Sequence, residues 1–191
     1  MYQLKKETLG ELEAFSEAGL LEIFDGDEAG VSLEPCVPYG WQFQGEAVAM
    51  PMAKGAGVNC FGLFTRSNRA IVATSESSIT ADFVVEQLDR LSFSIKKITV
   101  VVLDNARIHT GKRMVERIEY WQQRGLFIFY LPTYSPHLNI AETVWRKLKY
   151  EWLTPNDYED GQRLRYSVKQ ALNEFGKSLR INFSGFNYSL N

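Results

Sequence analysis

Asp27, Asp104 and Glu142 are the three residues of this 191-residue chain best placed to do chemistry together. Asp104 closes the run Ile98-Thr99-Val100-Val101-Val102-Leu103, a β-branched, apolar series of the kind that forms a strand buried on both faces. Glu142 follows Pro136-His137-Leu138-Asn139-Ile140-Ala141 in the first turn of a predicted helix, and Asp27 lies in Asp25-Gly26-Asp27-Glu28-Ala29-Gly30, just past a short apolar run at 20–24. Acids at the carboxyl ends of central strands occupy the edge where open α/β sheets bind ligands, and an acid opening a later helix can face them. Hard divalent cations take oxygen ligands, so three carboxylates suffice for a pair of Mg²⁺ or Mn²⁺ ions. Two such ions, about 3.5–4 Å apart, activate an attacking oxygen and stabilise a leaving one in phosphoryl displacement. Each acid alone also has a plainer reading. Glu142 can be the third helical residue of a capping box begun by Asn139, and Asp104 with Asn105, or Asp27 with Gly26, can form a turn.

The elements that must position these acids follow from periodicity. Residues 7–18 form a helix with Leu9, Leu12 and Phe15 on one side and Gly19 as terminator. A strand at 20–24 leads into the first acids. Pro35, Pro38 and Gly40 punctuate a loop before Trp41-Gln42-Phe43, and 45–57 is rich in small residues. Segments 58–65 and 69–74 read as a meander turning at Arg66-Ser67-Asn68, so the first three strands are antiparallel neighbours. Thr80 caps a helix over 81–91. After the strand at 98–103, a helix at 111–124 carries Met114, Ile118 and Trp121, with Gly125 beyond its end. Leu126-Phe127-Ile128-Phe129-Tyr130-Leu131, closed by Pro132, predicts a buried strand parallel to the one before it. Ala141, Val144, Trp145, Leu148 and Trp152 line one face of the Glu142 helix, and a last helix spans about 160–175 before a Ser/Asn-rich tail. The class is α/β, with a mixed five-stranded sheet, three strands antiparallel and then parallel ones, flanked by helices. Convergence of the acids requires the first strand to lie beside the 98–103 strand at the centre.

Composition narrows the function classes. With 45% hydrophobic residues the chain can bury roughly 70% of its unfolded surface without staples. Cys36 and Cys60 are too few and too far from histidine for a zinc site, and fit a cytoplasmic protein with reduced thiols. No apolar run approaches the roughly 18 residues that cross a membrane. A net charge of −2 excludes DNA binding by bulk charge, so any contact is local. Basic clusters stand at Lys112, Arg113 and Arg117, at Arg146, Lys147 and Lys149, and in a C-terminal set from Arg163 to Arg180.

Beside this reading stands a resemblance. The run Val102-Leu103-Asp104-Asn105-Ala106-Arg107-Ile108-His109, followed by Leu131-Pro132-Thr133-Tyr134-Ser135-Pro136-His137-Leu138-Asn139 with Glu142 and Trp145, resembles the catalytic domain of bacterial insertion-sequence transposases related to mariner. Asp27-Glu28-Ala29-Gly30, with Pro38-Tyr39-Gly40-Trp41 and Gly45, is similar to that family's first-acid motif. The resemblance implies a ribonuclease H-like fold over residues 20–153, preceded by a helical lead-in at 1–19 and followed by a C-terminal helix and tail at 154–191. It implies a DDE triad of Asp27, Asp104 and Glu142 that binds Mg²⁺ or Mn²⁺ and cleaves and transfers DNA strands at transposon ends. Asp25 is a rival first acid, and Ile140 stands where the family often has Pro. The residues expected to touch DNA are Asn105, His109, Lys112, Arg113, His137, Asn139, Arg146 and Lys149. A hydrogen-bonded structural role is the plainer reading of both histidines, and core packing that of Trp145 and Trp152. The expected partners are DNA, a separate helix-turn-helix polypeptide that reads the ends, and a second copy of the chain. The rival readings are another ribonuclease H-like nuclease and a non-catalytic remnant that binds DNA or a partner.

Overall fold

A computed structural model describes residues 2–35 and 57–183. The Trp41-Gln42-Phe43 loop, the Pro38-to-Gly45 motif, Cys36 and the C-terminal tail lie outside the described residues. The elements run α1 (Tyr2–Glu17), β1 (Glu22–Val31), β2 (Val58–Phe64), β3 (Ala70–Ser75), α2 (Ala81–Ser94), β4 (Thr99–Leu103), the single turn α3 (Arg107–Thr110), α4 (Lys112–Gln123), β5 (Leu126–Tyr130), α5 (Ile140–Lys147) and α6 (Gly161–Glu174). The five strands form one sheet in the order β3-β2-β1-β4-β5. Pairing is antiparallel from β3 to β1 and parallel from β1 through β4 to β5. Strand β1 therefore lies beside β4 in the middle, as convergence of the acids requires.

Helices cover both faces. Val84, Leu88 and Leu91 of α2 and Met114 and Trp121 of α4 pack against Phe24, Phe61, Val101 and Leu103 on one face. On the other face Trp145 of α5, Leu148 just after it, and Leu164 and Val168 of α6 cover Val58, Cys60 and Phe64. Trp145 is buried in this core, edge-on to Phe64 at 5.0 Å between ring centres. Helix α1 lies over Ile23, Val100 and Val102 through Leu9. Gly19 and Gly125 adopt φ of 77° and 86°, the left-handed geometry that ends α1 and α4 without a Cβ penalty.

Three expectations change. Strand β1 does not stop before the acids but continues through them to Val31, because β2 pairs with every residue from Asp25 to Val31. On α1 Leu9 and Leu12 pack inward as expected but Phe15 does not: at 100° per residue a strict three-residue spacing drifts around the helix, so Phe15 is exposed and Glu13 takes the inward place. Strand β5 is parallel as expected but only partly buried, because it is the sheet edge.

Candidate active site

The three acids reach one cavity from three elements. Parallel pairing of β1 with β4 ends at Asp25 opposite Val102, so from Gly26 onward β1 runs free of β4 on that side. Asp27 lies just beyond this point, and Asp104 follows the last residue of β4. The carbonyl of Gly26, released from the ladder, accepts a 3.0 Å hydrogen bond from the Asn139 side-chain amide. The Oδ1 of the same amide caps α5 by accepting from the Ala141 N–H at 2.9 Å. One buried asparagine thus docks the helix on the sheet and starts it, and Glu142 in its first turn follows from that placement. No bond from Glu142 back to Asn139 closes a capping box among the described residues.

Asp27, Asp104 and Glu142 line an open cavity of about 290 Å³, together with Asn105, Ala106, residues 131–136 and Asn139. Asp25 does not line it. Asp25 is buried among Glu13 and Arg66, and burial first, then the Glu13 charge, raises its pKa to about 8 against the opposing pull of Arg66 and the Ile140 N–H. Burial, followed by the charges of Glu142, Glu28 and Asp104, also raises Asp27 to about 8. Asp104 behaves oppositely: its hydrogen bond with His109 holds it below the usual carboxylate range.

The surroundings of Asp104 are tightly built. Its Oδ1 accepts from the Ala106 N–H at 2.9 Å, the turn foreseen after the strand, and lies 2.7 Å from His109 Nδ1. His109 is fully buried, and its Nε2 lies 2.9 Å from Glu28 Oε2, a close but poorly directed approach. Burial works against the charged ring, but hydrogen bonding and charge from Asp104 and Glu28 outweigh it and raise its pKa to about 9. Asn105 donates to the Leu131 carbonyl at 2.6 Å, tying the loop after β4 to the loop after β5.

Of the residues expected to touch DNA, His109 and Asn139 are buried: the imidazole stands between two carboxylates, and the Asn139 amide docks α5 while also lining the cavity. Lys112 and Arg113 are exposed at the start of α4, with surface pairs to Glu116 at 3.7 Å and to Asp82 at 2.5 Å. His137 is exposed with Nε2 3.1 Å from the Tyr2 hydroxyl; Arg146 is exposed and Lys149 half-buried. Sequence reasoning passed over Glu28 as a structural partner, though its alternation with Asp27 on a strand would have sent it to the opposite sheet face. It also passed over Tyr134, which stands on the cavity rim 96% exposed at φ 58°.

The conserved-sequence pattern of DDE superfamily endonucleases matches residues 22–165. The chain belongs to this family. No curated protein sequence matches it. Among solved structures, Mos1 transposase in a paired-end complex with the left transposon end superposes with a TM-score of 0.53 at 15% identity, over 89% of this chain and 58% of that one. The simian T-cell lymphotropic virus intasome in complex with PP2A regulatory subunit B56 gamma gives 0.54 at 12% identity, over 82% and 49%. The catalytic core domain of BIV integrase gives 0.50 at 13%, over 80% and 82%. At these identities the likeness is one of fold, and it establishes the ribonuclease H-like architecture of this DDE domain. The chain spans about three-fifths of the Mos1 transposase chain.

The donor chemistry, though not the spacing, suits a hard divalent cation. The donors are all carboxylate oxygens, Asp27 carries a raised proton affinity caused partly by the other acids, and both bonds to Asp104 fall on Oδ1. No group of three His, Cys, Asp or Glu side chains among the described residues is gathered closely enough to enclose an ion as it stands.

Proposed function

We propose that this DDE domain is the catalytic part of a transposase that cleaves DNA at transposon ends and joins the freed strand to target DNA. The observation that carries the reading is the meeting of Asp27, Asp104 and Glu142 at one open cavity from β1, the end of β4 and α5. Mg²⁺ or Mn²⁺ held by these three carboxylates would polarise the phosphoryl oxygens and lower the pKa of an attacking water. The chain's own groups do the rest. Asn139 sets the reach of Glu142, the Ala106 N–H and His109 fix Asp104, and the open cavity admits a phosphodiester. Arg146, Lys112, Arg113 and His137 are exposed cations and donors for the flanking phosphates, and the bare ring of Tyr134 offers a face on which a base can stack. With net charge −2 the domain's own grip on duplex DNA is weak, and we assign recognition of the ends to a helix-turn-helix reader that works with it.

The test is Mn²⁺- or Mg²⁺-dependent nicking of plasmid DNA carrying the sequences that flank the gene. Asp104→Asn and Glu142→Gln are expected to abolish nicking with an unchanged circular dichroism spectrum. Wild-type nicking by Glu142→Gln would sink the triad, and nicking that never proceeds to strand joining would reassign the domain as a plain nuclease.

A further inference from the structure

His109 is a buried ionisable ring whose two nitrogens face carboxylates on different elements, Asp104 after β4 and Glu28 on β1. Burying such a ring costs several kcal/mol unless it is compensated, and an apolar ring would pack against Phe61 at no such cost. Packing alone therefore does not account for a histidine here. Glu28 follows Asp27 in the strand and points to the opposite sheet face, so it is absent from the cavity lining. Among the described residues its close polar contact is the ring, 2.9 Å away. The far side of the assembly is anchored too: the Tyr130 hydroxyl donates to the His109 carbonyl at 2.7 Å, which holds the short α3 turn against β5.

We propose that Glu28 is a positioning residue for Asp104, acting through the His109 ring. Asp104 sits on a loop with its side chain 53% exposed, where a carboxylate ordinarily samples several rotamers. The ring pins Oδ1 and leaves Oδ2 without a bond among the described residues. Glu28 keeps the ring from turning away. In this way the pair Asp27-Glu28 serves one site from both faces of the sheet: the first acid lines the cavity, and the second orients the acid opposite it. The inference rests on the reading of Asp27, Asp104 and Glu142 as ion ligands.

The experiment measures Mn²⁺ affinity of the full 191-residue chain, without DNA, by electron paramagnetic resonance of free Mn²⁺. Groups that orient a metal ligand typically contribute 10–100-fold in affinity, so Glu28→Ala should weaken Mn²⁺ binding by about that factor. Glu28→Gln, whose amide oxygen can take the same place beside Nε2, should recover affinity to within a few-fold of wild type. Met114→Ala, which opens a cavity in the same core without touching a carboxylate, should lower the melting temperature and leave Mn²⁺ affinity unchanged. If Glu28→Ala fails to fold, Glu28→Asp carries the test, with an intermediate loss expected. Wild-type affinity in the folded Glu28 variants, with only a lower melting temperature, would overturn the positioning role. A wild-type chain that binds no Mn²⁺ at millimolar concentration would instead overturn the ion-site reading beneath it.

Discussion

Neutralising Asp27 should make the metal-free protein more stable. Its pKa rises from an ordinary 3.8 to about 8 because burial and then the charges of Glu142, Glu28 and Asp104 all disfavour the anion. The folded chain thus holds a proton that the unfolded chain releases, so stability falls as pH climbs from near 4 and levels off above about 8. At 1.36 kcal/mol per pKa unit, holding that proton at pH 7 costs the fold at most about 4 kcal/mol. The cavity is open and Glu142 is exposed, so water screens part of this repulsion. Asp27→Asn should then gain on the order of 2 kcal/mol, a rise of roughly 4–8 °C in melting temperature for a domain of this size. The assay is thermal unfolding by circular dichroism from pH 4 to 9 in EDTA. Asp25 and His109, raised to about 8 and about 9, cost both proteins stability toward alkaline pH, and only the difference between the curves isolates Asp27. That difference should be near zero at pH 4 and reach its plateau by about pH 8. A variant no more stable than wild type at pH 8 would refute the claim that burial and the neighbouring acids disfavour an ionised Asp27.

Other consequences are simpler to read. Millimolar Mg²⁺ or Mn²⁺ should raise the wild-type melting temperature, since ions that bind only the folded chain stabilise it by mass action; a triple Asp27, Asp104 and Glu142 amide variant should not respond, and equal shifts in both would count against the site. Asp25→Asn should nick DNA nearly as well as wild type while Asp27→Asn should not, because only Asp27 lines the cavity; the reverse result would move the first acid by two residues. Gly62→Ala should destabilise by about 1–3 kcal/mol, because an added Cβ would run into the Phe64 ring and come within 2.9 Å of Trp145, the residue that seats α5; an unchanged melting temperature would show that this packing yields freely.

Much of the fold was legible because burial writes its period into the chain. The β-branched run at 98–103 can only be a central strand, and the capping residues Thr80 and Asn139 and the terminators Gly19 and Gly125 all stand where local chemistry requires them. From these the order of strands and helices and the parallel step followed directly, while the family resemblance rested on the motifs around Asp27, Asp104 and Glu142. What periodicity cannot carry is the identity of a neighbour. Strand β1 runs on through its acids because β2, more than thirty residues later, supplies a ladder for them. Asn139 looks like an ordinary helix cap until Gly26 loses its partner in β4 and needs a donor. Nothing local in Glu28 or His109 announces that they meet, since one lies on a strand and the other on a turn eighty-one positions away. The types and local geometry of the acids were therefore determined by the sequence alone. Which of them share a cavity, and what holds each one still, was decided by tertiary structure, because charges and hydrogen bonds act through space and take no account of separation along the chain.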